Sequence, residues 1–185
     1  MSETLVNKDT RTIYLCDGID YKTVSYIIFN IVDIINTDDE KEQQIIDYKR
    51  KPIQLYISSP GGCTDAMWAL VDVISKSKTP IHTYCLGRCA SCGFVIFVAG
   101  HKRFITKHGK LMIHSVSIKG NIRQDVEELN DYVKEINNTQ EEIQNFIVNN
   151  TNISKEMLVD IQKYHKDWNI NAEQAIKLGC ADEII

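Results

Sequence analysis

No stretch of this chain approaches the roughly 18 consecutive apolar residues of a membrane-crossing helix. The opening residues, MSETLVNKDTR, also lack the apolar core of a signal peptide. A cytoplasmic location with no membrane partner is therefore expected. Proline and glycine are scarce, 3 and 9 in 185 residues, which excludes collagen-like and Pro/Gly-rich linker architectures. Positive charge is not in excess: the formal net charge is −4, so a basic face for nucleic acid is not expected. The six cysteines lack the companions that a metal or disulfide framework needs. Cys89 and Cys92 form a CxxC spacing near Cys85, but no second CxxC or suitably spaced histidine pair completes a zinc set. Cys16, Cys63 and Cys180 stand apart from these three. No metal or cofactor is expected, and the thiols read as small packing residues.

What is there alternates. RTIYLCDGI reads as a short strand ended by Asp17-Gly18. Val24, Ile27, Ile28, Ile31 and Ile35 then mark one face of a helix. Asp38 to Lys51 mixes both signs of charge without an apolar stripe, as a solvated loop or helix extension would. IQLYIS is a buried strand running into Pro60-Gly61-Gly62. Met67, Leu70, Val71 and Ile74 mark a second helix, and IHTYCL a further strand. This order predicts one α/β domain, residues 1–185, with a largely parallel sheet. RFITK and KLMIHSVSI are two more strands, separated by His108-Gly109. Ile122, Val126, Leu129, Val133, Ile136, Ile143 and Ile147 trace a long helix whose stripe needs a partner, in this chain or another subunit. A helix from Ser154 to about Tyr164 follows. Asn171 with Gln174 forms a capping box, and Gly179 stands where a helix would end.

Ligands and catalytic groups in such sheets gather where strands turn into helices. Gly61-Gly62 and Ser91 both occupy turns of that kind. Ser91 lies in CLGRCASCGFVIFVAG, between glycines at Gly87 and Gly93 and just before an apolar run. A serine hydroxyl attacks an amide only with a base, an orienting carboxylate and N–H donors for the oxyanion. The Cys92 N–H is a donor by position, and the diglycine can bring a second N–H close without side-chain obstruction. Five histidines could supply the base: His82, His101, His108, His114 and His165. Both His82 and His114 lie in strands, so position alone does not choose between them.

Taken in order, YISSPGG, GRCASCG, LMIHS and a late aspartate before NAEQAIKLGCADEII resemble the ClpP family. These are the proteolytic subunits of Clp ATP-dependent proteases. The likeness spans roughly Arg11 to Ile185. It implies a crotonase/ClpP-like α/β core with a protruding handle helix, the handle region lying at about 115–150. It also implies serine endopeptidase activity. By resemblance Ser91 matches the nucleophile, His114 the general base and Asp167 the orienting aspartate. Gly62 and Cys92 match the two backbone oxyanion donors. The implied assembly is a homo-tetradecamer of two stacked heptameric rings around a closed chamber. Its partners would be an AAA+ unfoldase ATPase and unfolded protein or peptide substrates. No GxxxxGKS loop is present, so nucleotide would act through the separate ATPase.

Several positions depart from the family pattern. About ten residues precede the first expected strand, fewer than the family carries, which predicts weak unfoldase docking. Cys92 replaces a methionine, although only its N–H matters. The family's HQP after the base is His114-Ser115-Val116, and its glycine-rich strand is reduced to Ile118-Lys119-Gly120. An acidic-Arg pair before the aspartate is His165-Lys166. Two rival readings are a non-catalytic ring subunit, which triad losses would have favoured, and a crotonase-type acyl-CoA-binding protein. The latter would not call for a serine at the helix corner.

Overall fold

In α1 (Tyr21–Gln44), Val24, Ile27, Ile31 and Ile34 recur every three or four residues and are buried. That spacing puts one apolar stripe on one helical face. Ile34 takes the place expected of Ile35, while Ile28 and Ile35 flank the stripe half-buried. Asp20 caps the helix through the Thr23 N–H at 2.7 Å. The computed structural model describes residues 6–117, 125–164 and 167–185.

The other elements are β1 (Val6–Asn7), β2 (Thr12–Leu15), β3 (Ile53–Ser59), α2 (Thr64–Lys76), β4 (Ile81–Ala90) and α3 (Cys92–Val98). After them come β5 (Lys102–Ile105), β6 (Lys110–Ile113), α4 (Val126–Asn150), α5 (Lys155–Tyr164), β7 (Trp168–Asn171), α6 (Ala172–Lys177) and β8 (Glu183–Ile184). The sheet runs β1-β2-β3-β4-β5-β8, with β6 paired to β4 and β7 to β6. Most pairings are parallel; β1–β2 and β6–β7 are antiparallel. The expected mainly parallel α/β core is thus present. Strands β1, β7 and β8 were not expected: β1 and β8 are two residues each, too short for a period-2 signal, and β7 (WNIN) buries a single residue, Ile170.

Alternation in β3 buries Ile53, Leu55, Ile57 and Ser59 on one face. The stripes of α1 and α2 and the wholly buried α3 belong to the same core. The other face carries a half-exposed row, Tyr14, Tyr56, Tyr84 and Phe104, stacked strand to strand at 4.5–5.2 Å between ring centroids. The C-terminus is clamped to β5 by Arg103. It pairs with Asp182 at 2.6 Å and donates to the Gly179 carbonyl at 2.8 Å. Gly179 ends α6 with φ of +64°, and the Asn171–Gln174 capping box is formed.

One expectation needs correction. Segment Asp38–Lys51 begins as the helix extension that was expected, with α1 continuing to Gln44, but it is not wholly solvated, because Asp38 is 0% exposed. Asp38 pairs with Arg11 at 2.5 Å and accepts bonds from Tyr48 and Thr79, each at 2.7 Å. Along α4 the buried positions are Gln140, Gln144 and Ile147, so the expected stripe is only partly covered within this chain. Val126, Leu129 and Val133 are exposed. Ile122 lies outside the described residues, as do Ile118-Lys119-Gly120 and His165-Lys166.

Burial alone would raise the Asp38 carboxyl, but the bonds from Arg11, Tyr48 and Thr79 outweigh it and hold it below the usual range. Its stabilisation is therefore present above the unfolded value of about 3.9 and lost as pH falls below that. Removing the carboxylate leaves the part-buried Arg11 without its counter-charge. Asp38→Ala is expected to cost about 3–5 kcal/mol, read as a lowered midpoint in urea unfolding at neutral pH. An unchanged midpoint would mean that the pair contributes no stability.

Candidate active site

Strand β4 is long enough to take two partners in turn. His82 to Cys85 pair with β5, and Arg88 to Ala90 pair with β6. The Ser91 N–H continues this ladder, donating to the Met112 carbonyl at 2.9 Å. The chain then turns abruptly into α3. Ser91 has φ of 54°, a left-handed conformation that a non-glycine residue adopts only under constraint. The constraint is visible: its N–H is fixed by Met112, and its carbonyl accepts from Phe94 at 2.9 Å and Val95 at 3.3 Å.

The diglycine lies against this corner. A Cβ on Gly61 would stand 2.7 Å from the Ser91 Cβ and 2.9 Å from the Ala90 carbonyl, so no larger residue fits. A Cβ on Gly62 would stand 2.1 Å from the Ile19 carbonyl oxygen. The Ile19 N–H donates to Gly61 O at 2.9 Å, and the Cys63 N–H to Ile19 O at 2.8 Å. Between those bonds the Gly62 N–H meets no backbone acceptor among the described residues, and the Cys92 thiol lies beside it, donating to the Gly62 carbonyl at 3.2 Å. The Cys92 N–H likewise meets no acceptor among the described residues. Ser59 steadies the turn: its hydroxyl donates to the Asp17 carbonyl at 2.6 Å and accepts the Gly61 N–H at 3.2 Å. Sequence reasoning missed Ser59, whose place in SSPGG marked only a strand end.

Gly62, Ser91, Cys92 and His114 line one cavity of about 370 Å³. Its apolar walls include Phe94, Val116, Ile143 and Ile147. Of the described histidines, His114 is the one at this cavity. His82 lies far down β4, tilted against Phe104 at 5.8 Å, and burial followed by the charges of Lys102 and His101 depresses its basicity. His101 accepts the Ile81 N–H at 3.1 Å, and His108 lies exposed in the β5–β6 turn.

Asp167 is exposed and does not line the cavity. Ile113 of β6 is paired with Trp168 of β7 in an antiparallel ladder. One step beyond that pair, His114 and Asp167 occupy facing chain positions. The ends of three neighbouring strands thus bring Ser91, His114 and Asp167 to one edge of the sheet. No hydrogen bond joins the three side chains in this single chain. Burial pushes the Cys92 thiol up, outweighing its contacts to Gly62 and Ser91, so it stays protonated and packs. All six cysteines are free, and no group that could hold a metal occurs among the described residues. No described helix is long and apolar enough to cross a membrane.

A family model described as Clp protease matches residues 5–185. The chain belongs to the Clp protease family. It is 31% identical over 138 residues to ATP-dependent Clp protease proteolytic subunit 2 of Treponema pallidum, covering 73% of this chain and 67% of that one. It is 34% identical over 137 residues to ATP-dependent Clp protease proteolytic subunit 1 of Chlamydia muridarum, covering 73% and 70%. Among solved structures, a ClpP1 mutant from Listeria monocytogenes superimposes with a TM-score of 0.80 over 96% of this chain and 92% of its own. At 24% identity that likeness shows the shared ClpP fold. The chain is accordingly a proteolytic subunit of a Clp-type protease, a peptidase hydrolase.

Proposed function

We propose that this Clp proteolytic subunit is a single-domain serine endopeptidase in which Ser91, His114 and Asp167 form the catalytic triad. The observation that carries the reading is the strained Ser91 turn, which opens on one cavity with His114 and with two backbone N–H groups that have no backbone acceptor among the described residues. His114 takes the hydroxyl proton as Ser91 Oγ attacks the scissile carbonyl carbon. The Gly62 and Cys92 N–H groups receive the oxyanion. The amine then leaves with the proton from His114, and water releases the acyl group by the same steps in reverse order. Asp167 fixes the imidazole tautomer and balances its positive charge. The apolar cavity walls favour an apolar residue beside the cleaved bond.

Assembly follows the family pattern: stacked heptameric rings, a homo-tetradecamer in the cytoplasm, enclosing the sites so that only unfolded chains and peptides enter. The exposed Val126, Leu129 and Val133 of α4 support a ring-to-ring contact, because an apolar stripe of this kind needs cover. Exposed Tyr26, Phe29 and Val32 on α1 support contacts within a ring. The triad side chains, unlinked in the single chain, would be drawn together by assembly. An AAA+ unfoldase would deliver folded substrates.

The purified chain is expected to run as a particle of about fourteen subunits in light scattering. It should cleave short fluorogenic peptides unaided and folded tagged proteins only with an unfoldase and ATP. A monomeric chain cleaving peptides at full rate would contradict the assembly reading. An assembled particle inert toward every peptide would favour the non-catalytic ring subunit.

A further inference from the structure

The segment that carries His114 outruns the ladder that supports it. Ile113 is the last residue of β6 paired to β7. His114, Ser115 and Val116 continue half-buried, without strand partners. Here α4 takes over. The Val116 N–H donates to Gln140 Oε1 at 2.7 Å, and Gln140 is only 9% exposed. The same stretch of α4 places Ile143 and Ile147 in the wall of the Ser91 cavity. Ser115 Oγ is buried with no partner among the described residues, and the Gln140 bond is a polar tie from α4 to this segment.

The sequence explains why a tie is needed. The family pattern HQP puts proline where this chain has Val116. Proline has no N–H and holds its own φ near −65°. Valine brings an N–H that must find an acceptor once water is excluded, and it leaves the backbone freer. A glutamine facing inward from a helix is itself costly to bury unless bonded. Gln140 meets both demands with one bond, two residues from the base.

We propose that Gln140 is a positioning residue. By accepting the Val116 N–H it tethers the His114 segment to α4 and sets the approach of His114 to Ser91. The inference rests on reading His114 as the base. Misplacing a catalytic group by about 1 Å can cost about 10²-fold in rate. A merely structural glutamine would instead alter stability and leave turnover per folded particle unchanged.

The test compares Gln140→Met, similar in length but lacking the amide acceptor, with Gln140→Glu, which keeps an acceptor oxygen. Both are made in the full chain and assayed as assembled particles. Gln140→Met is expected to lower kcat about 10- to 100-fold with KM within about twofold. Gln140→Glu should recover most of that loss. Wild-type kcat in Gln140→Met overturns the tether, as does an equal loss of kcat in both variants that merely follows their melting temperatures. Should Gln140→Met fail to fold, hydrogen exchange decides: the Val116 amide must be protected in the wild type and in Gln140→Glu. Unprotected exchange there overturns the proposal. Failure of the underlying reading looks different, because hydrolysis would then survive His114→Ala whatever occupies position 140.

Discussion

Replacing Ser91 with alanine is expected to abolish peptide hydrolysis, a loss on the order of 10⁴- to 10⁶-fold in kcat. Fold and particle size should be unchanged. The size of the effect follows from the chemistry: without Oγ there is no acyl-enzyme, and water alone must attack the carbonyl. The residual rate would come from the oxyanion donors and from substrate binding. Stability should hold or rise slightly. Alanine has the same backbone preferences and must still adopt a φ of 54° at this corner. The hydroxyl that is lost makes no bond that the fold depends on, since the Ser91 turn is held by its N–H and carbonyl. Activity retained in Ser91→Ala would show that the cavity works by another nucleophile. The Cys92 thiol, which burial keeps protonated, is a poor substitute.

The second large effect concerns the proposed base and its proposed carboxylate. His114→Ala should cost about as much as Ser91→Ala, because an unassisted hydroxyl does not attack an amide. Asp167→Ala should cost less, on the order of 10⁴-fold or below, since the imidazole can still accept a proton without its orienting partner. The decisive quantity is the double variant. If the two residues act as a unit, Asp167→Ala adds almost nothing once His114 is gone. Independent contributions would instead multiply. His82→Ala serves as the control within the sheet: its ring lies against Phe104, away from the cavity, and activity should be near wild type. If His165→Ala proved as damaging as His114→Ala, the base would have to be reassigned.

The central sheet and its two crossover helices were legible because their signals are local. Met67, Leu70, Val71 and Ile74 repeat with helical period, and the same residues are buried in α2. Ser91, His114 and Gly62 were legible as a set through motif order, and the structure brings them to one cavity. What could not be read depends on partners distant in sequence. Asp38 looked solvated among charged neighbours, yet Arg11 and Thr79, 27 and 41 residues away, draw it inside. Gln140 was not singled out by the helical pattern. It is buried and accepts the Val116 N–H, a pairing with a residue 24 positions away that no helical period encodes. The α4 stripe was legible as a stripe, but not what covers it. Its apolar residues at Val126, Leu129 and Val133 are exposed in the single chain, because a periodic signal cannot say which chain covers it. Asp167 stands between these cases. Motif order selected it, and strand register sets it opposite His114 without a bond between them.

The central claim is that Ser91 is a nucleophile activated in place. A fluorophosphonate forms a covalent bond only with such a serine, and protease digestion with mass spectrometry then locates the adduct. The account predicts a single adduct on Ser91, formed in wild type, absent from Ser91→Ala and strongly slowed in His114→Ala. An adduct on another serine, or Ser91 labelling at an undiminished rate in His114→Ala, would contradict it.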